Sequence, residues 1–322
     1  MTESSLLSAP GSSEVVLDEA GKQNEDDLIH EGQTVIVYVG YQQSFAITVR
    51  RDATFQHRYG MLRHNDLINK RYGTKFNCTK GYVYVLRLNP ELWTKTLPHH
   101  TQILYTKDIS MIVFELDLRN GSVVAEAGVG SGSLSHSILR AVFPKGMLYA
   151  YDVDSCRLDS VQLDFDRHGF SSTTKLQQRD VCIDGFGLEQ CVDAVFLDLP
   201  TPWLAVASAK KAMKNGVPCR FGSFSPCIEQ VQQTCNTLRE LGFLDIVTMD
   251  LCQRVLRVEE AVLDKPMGKD SSEHDQHGAS ELIVTADKQG MKVQKRKWTY
   301  LVPNQRQQPA HSGYLTFATK MK

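Results

Sequence analysis

At 322 residues the chain is long for one compact unit and suggests a large domain with a smaller companion. Hydrophobic residues make up 42% and charged residues 23%, the balance of a globular protein with a real core, and no apolar run approaches the roughly 18 to 20 residues that cross a bilayer. A net charge of −1 argues against a uniformly basic nucleic-acid binder, and eight scattered cysteines without a CxxC pair argue against a metal site or a disulfide framework; they fit reduced thiols in the cytosol or nucleus.

Residues 1–28 are acidic and polar and read as a disordered tail, without the basic leader and apolar segment of a secretion signal. From Thr34, TVIVYVGYQQSFAITV alternates in strand fashion about a turn at Gly40–Ser44, and YGMLRH and GYVYVLRL continue the β pattern, so residues 29–90 are expected to form a small β-domain. Within it, Arg50 to Lys80 carries eight Lys/Arg against two acids, interleaved with Phe55, Tyr59, Tyr72 and Phe76. Basic residues with aromatics between them suit phosphates and unstacked bases. A solvated rim on a small domain explains the same charges equally well.

A helix is expected in TQILYTKDISMIVFEL, where Ile103, Ile109, Ile112 and Val113 fall near helical spacing. After it, strand and helix alternate: SVVAEA, then the helix LSHSILRAV; MLYAYDV, then a helix over 154–168; TTKLQQ; VDAVFLDL, then WLAVASAKKAM; VPCRFGSFS, then PCIEQVQQTCNTLRELG; and the strand FLDIVTM. Such alternation implies an α/β domain over 91–263, with a parallel sheet covered by helices on both faces. Residues 264–311 are polar and read as a loop without structure, and GYLTFATK, within 312–322, reads as a closing strand. The basic cluster KVQKRKW, Lys292 to Trp298, has three open readings: an RNA contact, a weak nuclear signal, or no role.

Two features carry chemistry. In VVAEAGVGSGSLSH, Gly128, Gly130 and Gly132 follow an apolar strand and let the backbone turn tightly and approach a ligand. Asp152 ends the next strand, twenty residues beyond Gly132, where a carboxylate can accept from ribose hydroxyls. A dinucleotide and S-adenosylmethionine both use these features. The dinucleotide fingerprint wants a third glycine where Ser133 stands, whereas Glu126 gives the ExGxGxG form of methyl-donor sites. The second feature is VFLDLPTPW. Asp198 closes a buried strand at the ligand-binding edge, and Pro200 and Pro202 stiffen the chain beyond it. A carboxylate held there, near Trp203, suits a planar amine or base; capping of the next helix is the plainer use.

With LPHHTQILYTKDIS, EAGVGSGSLSH, RDVCIDGFG, DAVFLDLPTPW, FSPCIEQVQQTC and GYLTFATK in place, the chain resembles the catalytic subunits of the eukaryotic tRNA adenine-58 N1-methyltransferase. The resemblance covers nearly everything from Ile29 to Glu260 and the last ten residues. It implies a Rossmann-like class I methyltransferase sheet, with S-adenosylmethionine against Leu104, Ser131-Gly132-Ser133, Asp152, Arg157, Asp180-Val181 and Asp198, and with Asp198 as the catalytic carboxylate facing adenine. It also implies a nuclear heterotetramer, two copies each of this chain and a non-catalytic sister subunit, gripping tRNA partly through the small β-domain. Arg58, Arg63, His64 and Lys75 are the expected tRNA contacts, and no metal is expected. Val129 and Asp152 depart from the Thr and Glu common in the family. Rival readings are methylation of an adenine in another RNA, an NAD-dependent oxidoreductase, and an RNA-binding scaffold without activity.

Overall fold

The computed structural model describes residues 27–40, 43–97, 103–252, 256–264, 281–286, 292–303 and 313–321. The expected tail thus lies outside the described residues except for Asp27 and Leu28, the latter bridging to Arg71. One compact unit runs to Val247 and takes in the chain again from Leu315; a second spans Thr248–Tyr314.

Six strands open the first unit: β1 (Thr34–Gly40), β2 (Gln43–Thr48), β3 (Thr54–His57), β4 (Gly60–Arg63), β5 (Lys75–Cys78) and β6 (Gly81–Arg87). Four form an antiparallel sheet in the order β2-β1-β6-β5, and β3 and β4 make a separate hairpin. Period-two alternation decides what β6 shows: Val83 and Val85 join Val35, Val37, Leu62 and Leu67 in a core, while Tyr82 and Tyr84 face outward. The interleaved aromatics fall on the inner side. Phe76 is buried, and Phe55, Tyr59 and Tyr72 pack against the same core, so their first use is hydrophobic.

A short helix comes next, α1 (Pro90–Thr96), which the sequence pattern did not announce. Asn89 caps it by accepting from Leu92 N at 2.8 Å, and Pro90 sits in its first turn, where no amide hydrogen is needed. Then come α2 (Thr106–Glu115), β7 (Val123–Ala127), α3 (Ser133–Val142), β8 (Met147–Asp152), α4 (Ser155–Arg167), β9 (Thr174–Gln178), β10 (Ala194–Leu197), α5 (Val206–Ala212), β11 (Cys219–Ser225), α6 (Ile228–Glu240) and β12 (Leu244–Asp250).

The second unit holds β13 (Leu256–Asp264), β14 (Glu281–Ala286) and β15 (Lys292–Pro303), paired antiparallel in the order β13-β15-β14. This corrects the reading of 264–311 as a structureless loop. Polar runs such as GKDSSEHDQHG, outside the described residues, dominated the composition and hid two short strand patterns, ELIVTA and KVQKRKWTYLVP. It also moves Leu256–Asp264 out of the α/β domain, because its partner is β15.

The last strand, β16 (Tyr314–Lys320), lies between β11 and β12 in a seven-stranded sheet ordered β12-β16-β11-β10-β7-β8-β9. β7, β8, β9, β10 and β11 pair in parallel. Both faces are covered. Ala125, Val195, Leu197 and Phe221 meet Val206 and Ala209 of α5 and Leu238 of α6, whereas Phe196 and Phe317, of the other parity, crowd Gly222 together with Leu116 beyond α2. Burying each large apolar side chain here contributes about 1.5–3 kcal/mol. The chain runs β7 to β9 toward one edge and restarts at β10 beside β7. That reversal opens a crevice at the carboxyl ends of β7 and β10, where open α/β sheets bind ligands.

Candidate active site at the strand switch point

Two backbone hydrogen bonds set the crevice floor: Asp198 N donates to Ala127 O at 2.9 Å and Gly128 N to Tyr151 O at 2.9 Å. They press Gly128 against Asp198. Gly128 has φ +90°, and a Cβ there would collide with the Asp198 carbonyl oxygen, so glycine is demanded by conformation and by space alike. The chain next reaches Gly132, φ +73°, which opens α3.

The resulting cleft is lined by Leu104, Glu126, Gly128, Gly130, Ser131, Ser133 and Asp198, together with Ile103, Val129 and Leu134. Asp152 joins through a neighbour: its Oδ2 accepts from Gly130 N at 3.1 Å, and Arg157 Nη1 reaches its two oxygens at 3.2 and 3.3 Å. Arg157 itself is placed by the cap of α4, where Asp154 Oδ1 accepts from its backbone N. Leu104 is held by Ser133, whose Oγ donates to the Leu104 carbonyl at 3.0 Å and also meets Thr94 of α1. Asp180 and Val181 belong to the turn after β9. Arg179 N bonds the Asp152 carbonyl, the Asp180 carboxylate accepts from Cys182 N, and Val181 is buried in the core.

The electrostatics of the cleft come from three carboxyls on adjacent strand ends. Glu126 is only 1% exposed, and its Oε2 has no hydrogen-bond partner. Burial, with the negative neighbours Asp198 and Asp152, raises its pKa to about 8. Burial, then Asp152, raises that of Asp198 to about 7. A buried carboxyl with one oxygen unmet is costly unless something positive or hydrogen-bonding meets it. A cationic ligand with a polar tail does both, so these residues fit S-adenosylmethionine. No group of three metal-ligating side chains occurs among the described residues.

The expected RNA contacts divide. Arg58, Arg63 and Lys75 are exposed. Arg58 lies over the Tyr59 ring at 4.6 Å, and Lys75 over Tyr82 at 3.9 Å. His64 does not belong with them: it is 6% exposed, and its Nδ1 accepts from Arg50 N at 3.1 Å, which pins one loop of the small domain. Desolvation, then the Arg50 charge, lowers its pKa, so the ring is neutral and turned inward. Among the described aromatics of the small domain, the exposed ones are instead Tyr82 and Tyr84, packed edge to face at 5.8 Å, with Phe45. Strict alternation in GYVYVLRL was the signal for the two tyrosines.

The sheet order, the glycine turn and the carboxylate at the switch point define a class I methyltransferase fold. A likeness to the S-adenosylmethionine-dependent O-methyltransferase of Thermotoga maritima agrees: TM-score 0.72, 25% identity, 93% of this chain and 97% of that one. A tRNA methyltransferase, TrmI of Aquifex aeolicus, shares the fold with a TM-score of 0.65 at 21% identity, over 92% and 99% of the two chains.

Residues 81–320 match the profile of the family described as tRNA methyltransferase complex GCD14 subunit, and the chain belongs to that family. Among its relatives is the tRNA (adenine(58)-N(1))-methyltransferase catalytic subunit of Cryptococcus neoformans, 43% identical over 74% of this chain. The match spans 55% of that relative's own length. The corresponding subunit of Candida albicans is 31% identical over 92% of this chain and 97% of its own length.

Proposed function

We propose that this chain is the catalytic subunit of a tRNA methyltransferase that transfers methyl from S-adenosylmethionine to N1 of adenine 58. The observation that supports this best is the cleft, in which a buried carboxyl with one oxygen unmet, a glycine-rich backbone turn and a second carboxylate converge on one strand edge. The family's description and the adenine-58 names of its relatives support the tRNA adenine over other acceptors.

When bound, S-adenosylmethionine supplies an electrophilic methyl on a sulfonium. Leu104, Glu126, the turn at Gly128–Ser133, and Asp152 oriented by Arg157 are the residues that would hold it, joined by Asp180 and Val181 from the turn after β9. Adenine N1 already carries a lone pair, so the acceptor needs no strong base. Placement in line with the methyl can contribute roughly 7–11 kcal/mol. As N1 becomes bonded, the ring turns cationic and its N6 amino group becomes a better donor. Asp198 accepts that N6–H and stabilises the developing charge, most strongly in the transition state. A cation seated nearby favours the ionised Asp198 that this task requires.

The small β-domain, with Arg58, Arg63, Lys75, Tyr82 and Tyr84 outward, is the proposed grip on tRNA, offsetting the few kcal/mol that unstacking a base costs. A non-catalytic sister subunit, two copies of each chain and nuclear residence complete the reading. Its test is single-turnover methylation of unmodified tRNA by the co-expressed pair, with mapping of the modified nucleotide. Asp198→Asn keeps the shape and loses most of the rate; a near-normal rate, or a methyl elsewhere, refutes the proposal.

A further inference from the structure

Asp198 begins a loop that has little of its own to hold it. In Asp198-Leu199-Pro200-Thr201-Pro202 two residues lack an amide hydrogen, so the stretch cannot extend the β10 ladder. Its first residue is fixed by the bond to Ala127, and Leu199 packs against the core below. Beyond that point the Pro200 carbonyl is met by a side chain from far along the chain: Gln230 Nε2 donates to it at 2.8 Å.

The same amide does a second job. Gln230 Oε1 accepts from Cys227 N at 3.1 Å, closing the N-terminus of α6. An amide nitrogen can meet only the carbonyl and an amide oxygen only the N–H, so the two partners fix the group's orientation. Helix stability alone would favour glutamate here, since a carboxylate caps the same N–H and answers the positive helix end. Only the amide also supplies a donor toward Pro200. The residue type therefore matches a demand outside the helix.

We propose that Gln230 is a positioning residue for methyl transfer: it ties α6 to the backbone two residues past Asp198 and so sets where that carboxylate stands against the acceptor ring. This rests on the assignment of Asp198 given above. Gln230 itself lies outside the lining of the cleft and does no chemistry.

The test uses the full chain co-expressed with its proposed sister subunit. Three quantities are measured for Gln230→Glu and Gln230→Met: the single-turnover rate with saturating S-adenosylmethionine and unmodified tRNA, the calorimetric affinity for S-adenosylmethionine, and Tm. Gln230→Glu preserves the cap and sets an anion against the Pro200 carbonyl. Its Tm and donor affinity hold, while the rate falls about 10- to 100-fold, the scale of a misplacement of about 1 Å. Gln230→Met loses the same rate and some Tm as well. A Gln230→Glu rate within twofold of wild type overturns the proposal, and so does a loss that merely follows Tm or donor affinity. Asp198→Asn is run alone and combined with Gln230→Glu. If Asp198→Asn keeps the wild-type rate, the catalytic assignment fails first and takes this inference with it. If it is slow, a double variant no slower than Asp198→Asn supports action through Asp198, and a loss equal to the product of the two single losses overturns it.

Discussion

Glu126→Gln offers the sharpest physical test of the cleft. Glu126 has its folded pKa raised to about 8 from an ordinary 4.5, because burial strips its carboxylate of water and Asp198 and Asp152 repel it. The folded chain therefore holds a proton that the unfolded chain has released between those pH values, and stability falls as pH rises through that window. Each unit of separation is worth about 1.4 kcal/mol, so at pH 7 the penalty is roughly 3 kcal/mol. Glutamine mimics the protonated form and carries no such penalty. Urea unfolding of both proteins at pH 5, 6, 7 and 8 should show the variant gaining on wild type by about 1.4 kcal/mol per pH unit. Groups that do not interact with Glu126 cancel in the difference. A difference that does not change with pH would mean that Glu126 is ionised in the fold, with a partner, and would undo the account of a carboxyl waiting for a cation.

Four further outcomes are expected. Because Asp198 is raised to about 7 and acts as its anion, kcat/KM for S-adenosylmethionine should fall roughly tenfold per unit below pH 7 and level off above it; a flat profile from pH 6 to 8 contradicts the role. The Lys320 ammonium, 5% exposed, donates to the carbonyls of Lys210, Met213 and Lys214 and to Asn215 Oδ1, closing the end of α5, so Lys320→Met should cost roughly 3 kcal/mol in denaturant unfolding. Gly128→Ala and Gly169→Ala share the strain of positive φ, but only the first meets the Asp198 carbonyl, so only the first should weaken donor binding in calorimetry. Neutralising Arg58, Arg63 and Lys75 together should lower the salt slope of tRNA binding by about 2, and an unchanged slope would leave them as surface.

The parts of this site that could be read in sequence are those set by local backbone demand. Gly128 and Gly132 need positive φ, and Asp198 sits where a buried strand meets two prolines; such constraints act within a few residues and leave a local mark. What stayed hidden depends on contacts between distant segments. His64 looked like a nucleic-acid contact because its neighbours are basic, and only the fold turns its ring onto Arg50 N. Phe76 looked like a stacking partner until β5 set it against the small core. Helix α1 escaped notice because its seven residues are too few to show a period, although Asn89-Pro90 is a legible start. Strands β14 and β15 were masked by the polar runs beside them.

Glu126 shows the same limit and explains why the cleft is built as it is. Its motif marks a methyl-donor turn, but its neighbourhood with Asp198 and Asp152 exists only once β7, β8 and β10 lie side by side. Glu126 and Asp198, both raised by burial, destabilise the free protein, and a core free to optimise stability would not keep them. Under the proposed chemistry they face a donor that arrives as a sulfonium cation and leaves as an uncharged thioether. The attraction that seats the donor is then lost on transfer, because the positive charge has moved with the methyl to the adenine ring beside Asp198. The burial, and the lesser repulsion, that raise both pKa values in the free cleft therefore favour the cationic donor over the spent one and separate their affinities without any change in shape.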